Sequence, residues 1–482
     1  MGYVMSNTSN QPSGVANQVP PRSKNAFWPV LNIALGAAFC AVFGMWFLPV
    51  EQAAMLGILI FSAALWATSY VPEFWPAIAL FAFITVTQIA PGNIVLSGFE
   101  SSTFWLLFSG MVFGAAIKFT GLNQKAAGLL IQILGASYRS VITRTAFFGV
   151  LLGFLIPSGI GRVVLLIPIV VAIADQLGYE EESKGRYGML LTASFGTFLP
   201  SFAILPANAP NMLLSGISEA LYDNPLSYWD YLLLHFPVLG LTKTIVLIAV
   251  VLWLFPERDP SHQVKPVNAH PQNSCFSRKE KQLLLILVLC FVAWLTDSLH
   301  HVSPGWIGLI ACAVCLWPNS GLTSEHCLSK DINYGPLFFA AGIIGLGATI
   351  AYTGLGESMV NALTQIAPFV EGEHTLNLAL ITGISILVGL VANLAGIPAI
   401  ITPLAADLAD ITGLSSHAIV MSEVMAFSSV FLPYQAPPLI TAIALGKLPL
   451  AAVSKVCIIL FVITVLGLLP LNFLWWQING ML

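Results

Sequence analysis

Residues 154–170 read FLIPSGIGRVVLLIPIV, which sets Arg162 between two runs of Leu, Ile and Val with no acid near it in sequence. An ionised guanidinium at the centre of a membrane helix costs at least ~2.5–3.5 kcal/mol, so an arginine kept there reads as functional. Just before it, Pro157, Ser158, Gly159, Ile160 and Gly161 carry a turn signal. Residues 145–157 make an apolar half-helix of roughly 20 Å, long enough to reach about mid-bilayer and no further. A second half runs back from Arg162 to Asp175. Arg162 is therefore expected in the first turn of a half-helix that begins inside the protein. Unpaired N–H groups and the helix dipole favour an anion there, and a guanidinium adds a planar fork of donors. The competing reading is a structural arginine that pairs with a distant acid such as Glu423 or orders the tip.

A second interruption follows at LPANAPNML, residues 205–213, and again at LPYQAPPLI, residues 432–440. Prolines such as Pro206, Pro210, Pro433 and Pro437 remove helical hydrogen bonds and free carbonyls. At membrane depth such backbone survives only where it is buried in protein or lines a wet cavity. The freed carbonyls, with the amides of Asn208, Asn211 and Gln435, suit either Na⁺ or a substrate. Packed, merely kinked helices are the blander alternative. A second tip, VANLAGIPAIITP, carries Asn393, Leu394 and Ala395 and no charge.

The elements that hold these residues belong to a membrane protein. The chain is 57% hydrophobic and 8% charged, against roughly 25% charged in a soluble domain. Apolar runs recur along it, several reaching the ~20 residues that span a bilayer as a helix. The expected fold is an all-α polytopic membrane protein with about eleven spans.

Lys and Arg placement sets its orientation. Arg22 and Lys24 precede the first span and put the N-terminus in the cytoplasm. Lys125, Arg139, Arg144, Lys184, Arg186, Lys447 and the basic linker then all fall inside. The loops left outside carry Glu51, Glu100, Glu219, Asp223, Glu357, Glu371 and Glu373. That solution requires residues 142–178 and 374–413 to be re-entrant hairpins.

The two halves also match. GAAIKFTGL (114–122) pairs with GATIAYTGL (347–355), PIVVAIADQLG (168–178) with PLAADLADITG (403–413), and LPANAPNML with LPYQAPPLI, in the same order. The loop after the first motif is basic and the loop after its partner acidic, so the halves face opposite ways: an inverted repeat, as in secondary transporters. The chain divides into a polar, disordered tail (1–25), a first span (26–50), repeat 1 (51–256), a cytoplasmic linker (257–281) and repeat 2 (282–478). Repeat 1 holds hairpin 142–178 and broken helix 187–216; repeat 2 holds hairpin 374–413 and broken helix 416–446.

Other polar residues read as structural. Asp175 and Asp410 end equivalent half-helices as solvated acids, Lys118 and Lys243 snorkel from helix ends, and Cys312 and Cys315 are packing residues within a span. His300 and His301 lack further ligands for a metal. The tail does not resemble a signal peptide. No nucleophile–base constellation or P-loop is present, so neither an enzyme nor ATP-driven transport is expected, and nothing points to nucleic acid.

At these residues the sequence resembles the divalent anion:sodium symporter family of the ion transporter superfamily. The likeness covers about residues 50–476 and rests on SGFESSTFWLLFSGMVFGAAIKFTGL and on the proline breaks ANAPN and YQAPP. The family carries a Ser-Asn-Thr triplet at each tip, ten residues before a proline. Here those positions are Ser158, Gly159 and Ile160 before Pro168, and Asn393, Leu394 and Ala395 before Pro403. The resemblance implies that these residues, with Asn208, Pro210, Gln435 and Pro437, line a substrate site. Any Na⁺ would lie near Ser158, Gly159, Ala207, Asn211, Asn393 and Gln435. It further implies a homodimer, horizontal linker helices near 123–140 and 356–370, and elevator-type alternating access. Only Ser158 of the triplets stands in place, so Arg162 is expected to substitute for the cation. The function expected is secondary transport of a small dicarboxylate, tricarboxylate or sulfate-like anion, Na⁺-coupled or by exchange, in a bacterial inner membrane. The alternative is a cation/proton antiporter or metalloid permease using Asp175, Asp410 or Glu423.

Overall fold

A computed structural model describes residues 26–68, 70–122, 125, 137–156, 158–223, 225–258 and 276–481. The expected tail 1–25, Pro157, most of the first linker helix and most of the linker 257–281 lie outside the described residues. Within them every element is helical, and no strand occurs.

Helices α1 (Phe27–Gly44), α2 (Val50–Thr68), α3 (Phe74–Thr87) and α4 (Ser102–Thr120) lead to the first hairpin. Its arms are α5 (Tyr138–Leu155) and α6 (Gly159–Gln176). The broken helix follows as α7 (Lys184–Phe198) and α8 (Ala209–Tyr222), and α9 (Tyr228–Leu254) closes the half. The second half repeats the order. Helices α10 (Arg278–Leu295), α11 (Pro304–Leu316), α12 (Gly335–Tyr352) and α13 (Leu355–Thr364) precede hairpin arm α14 (His374–Ala392). The return arm is α15 (Gly396–Ile401) and α16 (Ala405–Thr412), the broken helix is α17 (Ser416–Ser428) and α18 (Pro437–Gly446), and α19 (Leu450–Ile478) ends the chain. Among the described residues eight helices are long and apolar enough to cross a membrane, and α3, α11 and α18 are shorter apolar helices.

Local chemistry explains these boundaries. Ser101, Ser137, Ser158, Ser183 and Asn208 each accept a backbone N–H at a helix start, and Ser277 with Glu280 makes a capping box on α10. The repeated Thr-Gly-Leu motif ends α4 at Gly121 (φ 84°) and precedes α13 at Gly354 (φ 70°), left-handed positions that glycine adopts without strain. The first tip is tighter than the sequence suggests. Gly159, Ile160 and Gly161 belong to α6, because the Ser158 cap starts the helix there. The second return arm is looser, interrupted by a 3₁₀ turn at Thr402–Leu404.

Packing crosses the halves reciprocally. Helix α3 packs on α12 and α11 on α4; likewise α6 packs on α18 and α8 on α15. Helices α5 and α7 touch backbone to backbone, since a Cβ on Gly149 would lie 2.5 Å from the Gly196 carbonyl oxygen. Every hairpin and broken helix is thus held against both its own repeat and the other.

Candidate functional site

A cavity of about 310 Å³ opens where the two tips meet the two breaks, within the range of small-molecule sites. From the first half, Ser158, Gly159 and Ile160 line it together with Asn208 and Pro210. From the second come Asn393, Leu394, Ala395, Gln435 and Pro437. Residues separated by more than two hundred positions thus share one wall.

Three predicted residues lie outside that wall. Ala207 and Asn211 sit behind it, fully buried. Arg162, also fully buried, does not project into the cavity. Its Nε donates to the Thr197 carbonyl at 2.9 Å, and its Nη1 donates to the carbonyls of Ala207 at 3.0 Å and Ile156. The guanidinium therefore ties the hairpin tip to both sides of the break, where helix ends leave carbonyls without intrahelical partners. Glu423 is not its partner; that carboxylate accepts from Thr402 Oγ1 at 2.9 Å. One terminal nitrogen, Nη2, is buried without a hydrogen-bond partner. It lies 3.7 Å from where a Gly159 Cβ would stand, so one glycine separates it from the cavity.

Lys243 overturns an expectation. It does not snorkel: it is 1% exposed and donates from Nζ to the Ser428 carbonyl at 2.6 Å. The reason is position, for α9 runs unbroken through a π-helical segment at Phe236–Thr242, leaving Lys243 well inside a 27-residue helix. Ser428 ends α17 as Thr197 nears the end of α7. Each half's break thus has a buried cation on a carbonyl at the end of its first helix.

The remaining oxygens of the expected sodium set take part in protein hydrogen bonds in this arrangement. Ser158 Oγ accepts from Gly161 N, Asn393 Oδ1 from Ala395 N, and Gln435 Oε1 from both Phe431 N and Leu432 N. The Ala207 carbonyl is taken by Arg162, and the Asn211 amide nitrogen holds the carbonyls of Ser201 and Ile204. Among the described residues of that set, Asn211 Oδ1 stands buried without a hydrogen-bond partner.

Asn393 holds the second tip at φ 62°, ψ 179°, a region nearly reserved for glycine and worth about 1–3 kcal/mol of strain. Asn393→Gly is accordingly expected to raise thermal stability by one or two degrees, and Asn393→Val to lower it by more, in melting curves of purified protein. Asp175 is held by Arg186, while Asp410 is exposed at the end of α16. Among the described residues no group of three His, Cys, Asp or Glu is placed to hold a metal.

Sequence reasoning missed several wall residues: Phe198, Phe202, Met111, Phe339 and the acidic Glu73. The aromatics give no polar signal, and Glu73 lies in a short turn that resembles any solvated loop.

The chain matches the profile described as sodium:sulfate symporter transmembrane region over residues 30–482. It belongs to that family. The family is one of transporters, and the protein is an integral membrane protein of this type. Family relatives include an uncharacterized transporter of Haemophilus influenzae, 24% identical over 73% of this chain and 76% of the relative. The inner membrane protein YbhI of Escherichia coli is 24% identical over 80% and 86%. The L-tartrate/succinate antiporter of Escherichia coli is 24% identical over 57% and 58%. Among solved structures, the YdaH transporter of Alcanivorax borkumensis, described as having an unusual topology, superposes with a TM-score of 0.53 at 16% identity, covering 89% of this chain and 99% of that one. That likeness speaks to the fold alone.

Proposed function

We propose that the protein moves a small di- or tricarboxylate or sulfate-like anion by alternating access, with the cavity between the tips as its substrate site. The observation that carries this is the convergence of both tips and both breaks on one cavity. The first turn of α6 offers backbone N–H groups, and the side chains of Asn208 and Asn393 offer amide polarity. The guanidinium behind Gly159 adds positive potential without touching the ligand. Phe198 and Phe202 would cover its carbon skeleton. The antiporter among the relatives supports the dicarboxylate class.

Coupling follows from the buried cations. Arg162 and Lys243 already neutralise the carbonyl ends that a coupling cation would otherwise face. The protein therefore works as an anion exchanger or uniporter, without a Na⁺ requirement. It sits in a bacterial inner membrane with a cytoplasmic N-terminus, as a homodimer of inverted repeats 51–256 and 282–478. A cation-antiport reading has one observation in its favour, the fully buried Glu423 with Oε2 unpartnered.

Proteoliposome uptake of labelled succinate, L-tartrate and sulfate tests the proposal. Preloading with unlabelled anion is expected to raise uptake at least fivefold, and an imposed Na⁺ gradient to change it less than twofold. Strict Na⁺ dependence would overturn the coupling scheme. No uptake of any of the three, with Na⁺ or without, would overturn the substrate class.

A further inference from the structure

Among the described residues Glu73 is the one charged side chain in the wall of the cavity, and it is acidic. It lies, partly exposed, in the turn between α2 and α3 and lines the same cavity as the tip residues Ser158 and Asn393. A carboxylate that shares a cavity with a dianion repels it unless a proton lies between them. We infer that Glu73 shares one proton with the bound anion, so that the loaded cavity holds one proton more than the empty cavity and the free anion together.

Several features make Glu73 suited to this. Among the described residues its carboxylate forms no ion pair and no hydrogen bond, so it is uncommitted. Its backbone is anchored separately, the carbonyl accepting from Trp66 Nε1 at 3.0 Å. Desolvation by the surrounding protein holds its pKa above the usual carboxylate value, in the direction that favours proton uptake.

Among the described residues no neighbour supplies the missing positive charge. Helix α3 packs on α2, on α12 and on the short helix Gly92–Val95. Helix α12 carries no Asp, Glu, Lys, Arg or His, and Gly92–Val95 carries none either. Glu51 sits at the opposite end of α2 from Glu73. Tyr70 shares the turn itself. On the segment leading into α12, Asp331 accepts from Ser324 Oγ, Tyr334 donates to the Leu328 carbonyl, and Lys330 makes no salt bridge with Glu73.

The balance is simple: the empty site, one anion and one proton from the solvent on the open side form the loaded complex. Linkage is reciprocal, so the anion tightens proton binding by the factor by which the proton tightens anion binding. Above the pKa of free Glu73, apparent affinity falls about tenfold per pH unit, and below it the dependence vanishes. The inference rests on the cavity taking an anion, which the experiment also checks.

Apparent KM is measured in proteoliposomes at equal internal and external pH from 5.5 to 8.5, for wild type, Glu73→Gln and Glu73→Asp. Labelled succinate and sulfate serve as probes; sulfate stays doubly charged across that range and so separates protonation of Glu73 from protonation of the substrate. Wild type and Glu73→Asp are expected to lose affinity with rising pH, whereas Glu73→Gln keeps a flat profile for sulfate and binds it at least tenfold more tightly at pH 8.5. Proton uptake on adding anion to purified protein is expected near one per site in wild type and near zero in Glu73→Gln. Identical pH profiles in wild type and Glu73→Gln, or no proton uptake by a wild type that does take up anion, would overturn the inference. If neither probe is taken up by any form, the anion reading falls and this inference falls with it.

Discussion

Arg162→Ala is expected to abolish anion uptake and to leave a protein that melts at least ten degrees lower, if it accumulates at all. The guanidinium satisfies carbonyls at Ile156, Thr197 and Ala207, and its bonds to Thr197 and Ala207 are buried. Each buried polar group left unpaired costs about 1–3 kcal/mol, and a total near 3–5 kcal/mol is a large share of a typical stability. The functional loss has a separate origin, for the same bonds fix the first tip against the break. Arg162→Lys separates the two effects. An ammonium keeps the charge but lacks the fork that lets one head reach three carbonyls. It should retain much of the fold while uptake falls at least tenfold. Size-exclusion profiles and melting curves report the fold; initial rates of succinate counterflow report the function. An Arg162→Ala protein that transports at wild-type rate would remove the tie between tip and break from the mechanism.

Lys243→Met should give the opposite pairing of outcomes. The ammonium is enclosed by protein and has one bond, to the Ser428 carbonyl. Removing a buried charge relieves a desolvation cost of several kcal/mol, which outweighs the ~1–3 kcal/mol of leaving the one carbonyl unpaired. Melting temperature is therefore expected to hold or rise, while uptake falls at least tenfold because the end of α17 loses its counter-charge. Uptake that persists and becomes strongly Na⁺-dependent would show a free cation occupying the place of the ammonium. Uptake unchanged in every respect would mean that Lys243 has no part in transport. Together the two substitutions ask whether the break of each half needs a buried cation, both of which repeat 1 supplies.

The backbone plan was legible because it is written in composition and spacing. Prolines at 206, 210, 433 and 437 mark where helices must stop, whatever the fold around them. The Thr-Gly-Leu and Asp-to-Gly motifs mark equivalent helix ends in both halves. The meeting of tips and breaks was legible at the same level, for residues of both line one cavity. Side-chain direction was not. Arg162 has a stem long enough to face the cavity or the packed break, and the choice is made by carbonyls at Thr197 and Ala207, thirty-five and forty-five residues away. Lys243 looked like a helix-end lysine because the π-helical segment that continues α9 leaves no mark in hydrophobic periodicity. Glu73 gave no signal, since what singles it out is the company it keeps in space.

The reciprocal seating of α6 on α18 and α8 on α15 has a consequence for how such a chain can diversify. Neither half owns a complete pocket, so a change at one tip is felt by a surface encoded in the other. A Cβ at Gly159 would stand 2.9 Å from Cγ of Pro438. A substitution in one unit therefore has to be accommodated by the other, and the two units need not be alike. A guanidinium behind one tip and a strained asparagine at the other give the chamber a fixed head and tail, and a lopsided molecule would enter it in one heading.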